Sequence, residues 1–402
     1  MDATTPKSRF AEFNLDPALA EAVESASPQQ IIEGIVRLDD PRQIPPKFIV
    51  VSQFIRICTG RFLASDAWTI RLHPNVLSLK AARPMGIYEC CKHLPEAEDS
   101  EEIVQRATRP LPFTGRGCIV AALDFGLDFV HPNFLNSDGT TRVIAFWNQV
   151  AAYDPAHPNR YGYGRVFSPA EINRALRASN PYQALGYHPA ISDTGHGSHG
   201  THTLDIAAGN GRAPGSAPGV ASDADLIFVH LSTPSPGPIG DLGDSVRMLE
   251  ALDFVHLTAQ DRPWVVNLSV GRTGGSHDGT SPFEQAMHEI LRFGSGRAIV
   301  QSAGNYRAAD LAVEGWLRDG ESRDLEWIID GLHRVIEGDA MATPVARGLL
   351  VVPFETPAHE NTEYPYQSQN TTYFSKIKCY DLKGATAARR ARLRRREAPH
   401  WG

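Results

Sequence analysis

The chain has 402 residues, 42% of them hydrophobic and 21% charged, which is enough apolar side chain for one large core, or one large and one small. A formal net charge of -7 gives no reason to expect a nucleic-acid or anionic-membrane partner for the molecule as a whole. The five cysteines are odd in number, follow no disulfide-framework spacing and form no CxxC…CxxC metal pattern, so reduced thiols are expected.

The opening residues Met1-Asp2-Ala3-Thr4-Thr5-Pro6-Lys7 lack the apolar run of an export signal, and no stretch approaches the ~18–20 apolar residues of a membrane span. A cytoplasmic protein without a membrane partner is expected. Residues 1–28 read as a polar lead-in with a short helical pattern that Ser27-Pro28 closes. Residues 29–95 read as a small α+β unit. Apolar alternation predicts strands at 31–37 and 48–55, and the pattern of 66–79 continues through a turn at His73-Pro74-Asn75. Arg83-Pro84 and the charged stretch 96–102 announce a linker over 96–114, leading to a main domain over 115–345.

That domain opens at 117–124 with a short apolar run ending in Asp124, the length and flanks of a buried parallel strand. Similar runs occur at 226–231, 264–270 and 298–302, with helical stretches between them, notably 244–256 and 283–293. Alternating strand and helix predicts an α/β fold with a doubly wound, mostly parallel sheet and helices on both faces. In such sheets ligands sit beyond the carboxyl ends of the strands, where Asp124 and Ala303-Gly304-Asn305 both fall. Beyond Asn305 the periodicity weakens; 315–329 and 347–354 are candidate strands, and 385–397 is the next helical stretch. Residues 346–402 are otherwise an unassigned tail, basic at its end.

Asp124 precedes a tight turn, Phe125-Gly126-Leu127-Asp128, that leaves a carboxylate at the sheet edge, although a strand-terminal Asp alone is commonly a turn residue. The segment Gly195-His196-Gly197-Ser198-His199-Gly200-Thr201-His202, followed by small residues and Ala208-Gly209, is more specific. Here the chain resembles the subtilisin-like serine peptidases, whose His-Gly-Thr-His motif precedes a helix of small residues. The resemblance covers about residues 115–305. It includes Asp124 with Gly126, His131-Pro132-Asn133-Phe134, Pro218-Gly219-Val220-Ala221, the run from Val266 to Gly271, and Ala303-Gly304-Asn305, in the family's order of Asp, His, Asn.

The resemblance implies a serine endopeptidase that hydrolyses peptide bonds through an acyl-enzyme. His199 would be the base, because Ile206-Ala207-Ala208-Gly209 then falls at the family's distance, leaving His196 and His202 in structural roles. Asp124 would orient His199, Asn305 would donate to the oxyanion, and Ser269, Val270 and Gly271 would receive an extended peptide as an added strand. No cofactor is required; calcium is a common structural ligand in the family, but no acidic loop is specific enough to hold it and no metal ligand is assigned. The unit at 29–95 resembles the inhibitory prodomain of many such peptidases, which would make it an intramolecular partner of the cleft.

Three features depart from the family. Phe125 stands where a small hydroxyl residue is usual, and Thr203-Leu204-Asp205 replaces Val-Ala-Gly or Val-Ala-Ser, putting at Asp205 a carboxylate that needs a partner. The nucleophile motif Gly-Thr-Ser-x-Ala-x-Pro does not occur. The single Gly279-Thr280-Ser281-Pro282 precedes Asn305 and reads as a helix cap, with Pro282 at the first helical position and Glu284 nearby. Interruption before the serine motif is the expectation, since the Ala/Arg tail is what an out-of-frame reading of a GC-rich gene gives. The alternatives are a non-catalytic, peptide-binding relative and a nucleic-acid-binding protein acting through that tail.

Overall fold

The computed structural model describes residues 16–82, 84–86, 113–191, 198–231, 241–271 and 279–304, with the backbone of short strands between 315 and 393. Asn305 and His196 lie outside the described residues, as does most of the linker expected at 96–114.

The first unit is an antiparallel sheet of β1 (Ile31–Leu38), β2 (Ile49–Phe54), β3 (Ile57–Leu63) and β4 (Val76–Ala81), in the order β2-β3-β1-β4. Helices α1 (Pro17–Ser25) and α2 (Ala67–Arg71) complete it around Leu19, Val36, Leu38, Phe62, Ile70 and Leu79. The stretch read as strand over 66–79 therefore divides into α2, a turn and β4. Strand β3 carries Gly60 at its centre, which weakens the strand signal in its sequence. A short strand, β5 (Pro84–Gly86), follows.

Six strands build the main sheet: β6 (Ile119–Asp124), β7 (Val143–Asn148), β8 (Arg165–Phe167), β9 (Asp225–His230), then β11 (Trp264–Leu268) and β12 (Arg297–Gln301), with β10 (Asp241–Asp244) lying apart. Their order is β12-β11-β6-β9-β7-β8, and every pairing is parallel except β7 with β8. All six residues of β6 are buried. Because successive side chains alternate, Ile119, Ala121 and Leu123 pack on one face and Val120 and Ala122 on the other.

Each face is covered by helices. Between β8 and β9 run α3 (Pro169–Leu176), α4 (Pro181–Leu185) and α5 (His199–Ala208), and Leu204 and Ala208 of α5 join Val120, Ala122 and Phe228. On the opposite face α6 (Ser245–Ala259) sets Val246, Leu249 and Leu252 against Ile119, Ala121 and Leu123, next to α7 (Pro282–Leu291). Ser281 caps α7 with a reciprocal box: its Oγ accepts from the Glu284 amide and its own amide donates to Glu284 Oε2. The capping role read from Pro282 and Glu284 is thus the one Ser281 has.

Helix α6 is buried almost all round, including its charged residues Arg247, Glu250 and Asp253. The four-stranded unit lies over it. Arg61 makes two hydrogen bonds to Glu250, at 2.9 and 3.0 Å, and reaches Glu33 at 3.0 Å. Glu33 in turn binds Arg247 at 2.7 and 3.0 Å, and the Ser52 hydroxyl donates to Asp253 at 2.9 Å. Bidentate geometry and shared partners are what such charges need out of water.

Further along, Leu325–Ile329 pairs antiparallel with Arg347–Leu350 and with Ala391–Leu393. This corrects the helical reading of 385–397 at its centre, where cross-strand pairing overrides the helix propensity of Ala and Arg. Among the described residues no helix is long and apolar enough to cross a membrane.

Candidate active site

Asp124 is the last residue of β6, a central strand of the sheet, and its side chain is fully buried. The neighbouring β9 ends in register with it at His230. After Asp124 the chain turns sharply through Gly126, whose φ of 74° suits glycine, and a Cβ there would come within 2.9 Å of Ser198 Cα.

Every amide of this turn is satisfied by a side chain. Phe125 N donates to Asp124 Oδ1 at 2.7 Å, Gly126 N to His230 Nδ1 at 3.4 Å, Leu127 N to Tyr187 Oη at 2.9 Å, and Asp128 N to Thr201 Oγ1 at 2.7 Å. Tyr187 Oη lies 2.9 Å from His230 Nδ1. Since Nδ1 accepts from Gly126, it carries no proton, so the tyrosine donates to it and His230 is neutral with its proton on Nε2. Burial acts the same way and pushes the His230 pKa down to about 3.

The turn is also the seat of α5. Gly200 N donates to the Phe125 carbonyl at 2.6 Å and Thr201 N to that of Gly126 at 2.8 Å. Gly200 has no room for a side chain: a Cβ would meet the Phe228 ring at 2.5 Å and the Phe125 carbonyl at 2.7 Å. At the other end of α5 the buried Arg142 guanidinium donates to the carbonyls of Ala208, Asn133 and Ala224 at 2.7–2.9 Å. A cation there satisfies both the open carbonyl and the helix dipole.

Docked in this way, the first residue of α5 meets the carboxylate. His199 Nδ1 lies 2.8 Å from Asp124 Oδ1. The Phe125 ring stacks on the imidazole with centroids 5.1 Å apart and planes within 9°. Thr203, one turn along α5, donates from Oγ1 to Asp124 Oδ2 at 2.9 Å. Phe125 and Thr203, both departures from the family pattern, therefore touch the Asp124–His199 pair directly. Asp205, in the same departing stretch as Thr203, has its partner: Asn133 Nδ2 donates to Asp205 Oδ1 at 2.7 Å. His202 is exposed on the next turn.

Of the residues expected to hold a peptide, Val270 is buried, with its carbonyl accepting from Gln301 Nε2 at 2.7 Å, and Ser269 Oγ accepts from Asn267 Nδ2 at 2.8 Å. Gly271 follows, half-buried. Among the described residues β10 takes on a short added strand. Pro84–Gly86 pairs with it antiparallel, Gly86 opposite Asp241 and Pro84 opposite Asp244, and Met85 is buried in the core. Sequence reading passed over β10, because Asp241-Leu242-Gly243-Asp244 contains no β-branched or aromatic residue. Asp244 is fully buried where β10 meets α6; burial first, then Glu33, raise its carboxyl to about 7.

Comparison with known proteins gives one consistent result. The profile of the family described as Subtilase family matches residues 115–373. Subtilisin-like protease SBT2.2 of Arabidopsis thaliana is 30% identical over 210 residues, 48% of this chain and 22% of that protein. The PII-type proteinase of Lacticaseibacillus paracasei is 25% identical over 222 residues, 54% of this chain and 11% of that protein. The chain thus spans less than a quarter of the length of these two curated relatives. Among solved structures, the Clostridium perfringens CspB protease matches with 26% identity and a TM-score of 0.45, covering 55% of this chain and 43% of that one.

Proposed function

The chain belongs to the subtilase family of serine peptidases, and from that premise we propose that Asp124 and His199 form the general-base pair for peptide-bond hydrolysis through an acyl-enzyme. The observation that carries this reading is the 2.8 Å contact of His199 Nδ1 with a buried Asp124 that terminates a central strand. With Nδ1–H donated to the carboxylate, Nε2 keeps a lone pair. It takes the proton of a serine hydroxyl as Oγ attacks the peptide carbonyl, and returns it to the leaving amine; a water molecule then releases the acyl group by the same route. Asn305 is assigned to the oxyanion.

No serine of this chain is assigned as nucleophile. Ser281 is committed to its helix cap, and Gly-Thr-Ser-x-Ala-x-Pro does not occur in the 402 residues. The second reading is a relative that binds peptides in the same cleft without turnover.

In either reading the four-stranded unit with β5 acts as an intramolecular occupant of the cleft. Support comes from Met85, the middle residue of the added strand, which is buried in the main core, and from the ion pairs between Arg61, Glu33, Glu250 and Arg247. Strand addition satisfies the edge of β10 through backbone hydrogen bonds, as a peptide would.

The test is labelling of the full chain by a fluorophosphonate, read by intact mass and peptide mapping. Labelling of one serine that disappears in His199→Ala supports hydrolysis. No labelling, together with retained binding of an unstructured peptide, supports the second reading. Labelling that survives His199→Ala overturns the role given to the pair.

A further inference from the structure

We propose that Thr203 is a positioning residue for Asp124, fixing the carboxylate that in turn orients His199; this rests on reading the two as a general-base pair. Asp124 presents two oxygens in a fully buried site. Oδ1 is engaged by the Phe125 amide at 2.7 Å and by His199 at 2.8 Å. Oδ2 receives the Thr203 hydroxyl at 2.9 Å. A buried carboxylate is held as an anion by such donors, and each one removed leaves charge without compensation.

The hydroxyl has one proton and two acceptors in reach, Asp124 Oδ2 and, at 3.3 Å, the Gly200 carbonyl three residues back. The carboxylate is both nearer and charged, so it takes the proton. The terminal torsion of an Asp side chain is soft and nearly two-fold, so engaging one oxygen leaves the group free to turn. Donors on both oxygens stop that rotation.

Thr203 stands four residues after His199, which puts the two side chains one above the other on α5. Imidazole and hydroxyl are therefore delivered to opposite oxygens by one rigid element. The ring of Phe125, parallel to the imidazole, limits the remaining motion of His199. The hydroxyl is supplied from the helix, and the residue after Asp124 is free to be aromatic.

The assignment has a readout that packing alone does not move. A donor on Oδ2 stabilises the carboxylate and reduces its pull on the imidazolium, so removing it raises the pKa of His199. Histidine-labelled full-length protein is titrated by NMR as wild type, Thr203→Val and Thr203→Ser, with His199→Gln to assign the resonance. The expectation is a His199 pKa higher by about half a unit to one unit in Thr203→Val, and a wild-type value in Thr203→Ser. Where wild type reacts with fluorophosphonate, Thr203→Val slows the reaction about tenfold or more. Should Thr203→Val not fold, Thr203→Ala is measured against the same criterion.

An unchanged His199 titration in the hydroxyl-free variant overturns the assignment, as does an equal change in Thr203→Ser. A wild type that never reacts removes the hydrolase reading alone, because the titration still decides the role of Thr203.

Discussion

The amide of Gly200 donates to the carbonyl of Phe125 at 2.6 Å, so the helix carrying His199 begins on the turn carrying Asp124. A methyl group at Gly200 would collide with the Phe228 ring and with that same carbonyl. Gly200→Ala is expected to destabilise the fold by ~1–3 kcal/mol through overpacking. It should also lengthen the His199–Asp124 contact, seen as an upfield move of the His199 Nδ1 proton. Urea unfolding and proton NMR on one sample check both effects.

His230 gives a pH dependence of known sign. Its folded pKa of about 3 lies below the ordinary 6.5, so the unfolded chain binds the extra proton between these values. The contribution of the neutral side chain is complete above about 6.5 and declines as pH falls, by at most ~1.4 kcal/mol per pH unit. His230→Asn should cost stability at pH 8, and the difference from wild type should shrink towards pH 4.5. Parallel denaturant curves across that range decide it; a constant difference would contradict a neutral His230.

Asp244 acts in the opposite sense. Its folded pKa of about 7 stands above the ordinary 3.8, and it lies opposite Pro84 in the strand pair. When Pro84–Gly86 and Glu33 leave, burial and the neighbouring charge are relieved, although Arg247 and Glu250 remain nearby. The stabilisation of the docked state is therefore complete below about 3.8 and lost as pH rises through 7, by up to ~1.4 kcal/mol per unit. Backbone hydrogen exchange at Met85, followed from pH 5 to 8.5, should accelerate beyond its intrinsic pH trend in wild type and not in Asp244→Asn.

Glu250 has a fully buried carboxylate that depends on Arg61 and on the Tyr163 hydroxyl at 2.8 Å. Arg61→Ala strands that charge, and a loss of ~3–5 kcal/mol is expected. Arg61→Met combined with Glu250→Leu should recover most of it, since neither charge is left to be compensated. Thermal unfolding of the single and double variants provides the comparison, and equal losses would show that the pair is not desolvated.

Much of this arrangement was legible in the chain. An apolar run ending in Asp124 is the signature of a buried strand delivering a carboxylate to a sheet edge, and His-Gly-Thr-His before small residues marks the start of α5. Even the awkward Asp205 pointed to a missing partner, which Asn133 supplies. What escaped sequence reading depends on contacts between distant segments. Arg247, Glu250 and Asp253 recur at intervals of three, the pattern of a solvated face. They are buried because a separate sheet covers them. Strand β7 escaped notice between loops, and the bond from Thr203 to Asp124 follows from the docking of α5, which no local pattern encodes. The helical reading of 385–397 failed for a related reason: local propensity carries no information about the partner strand at Leu325–Ile329.

On the proposed reading of the cleft, the pairing of Pro84–Gly86 with Asp241–Asp244 also sets the terms on which any outside peptide enters. A strand tethered to the same chain competes at an effective concentration that for short connections is on the order of millimolar. A peptide in solution must exceed that threshold, scaled by the ratio of the two affinities, before it is seen at the cleft. Cutting the connection after Gly86 turns a permanent neighbour into an ordinary ligand that dilution can remove, so measured affinity for added peptide should depend on whether the backbone there is whole.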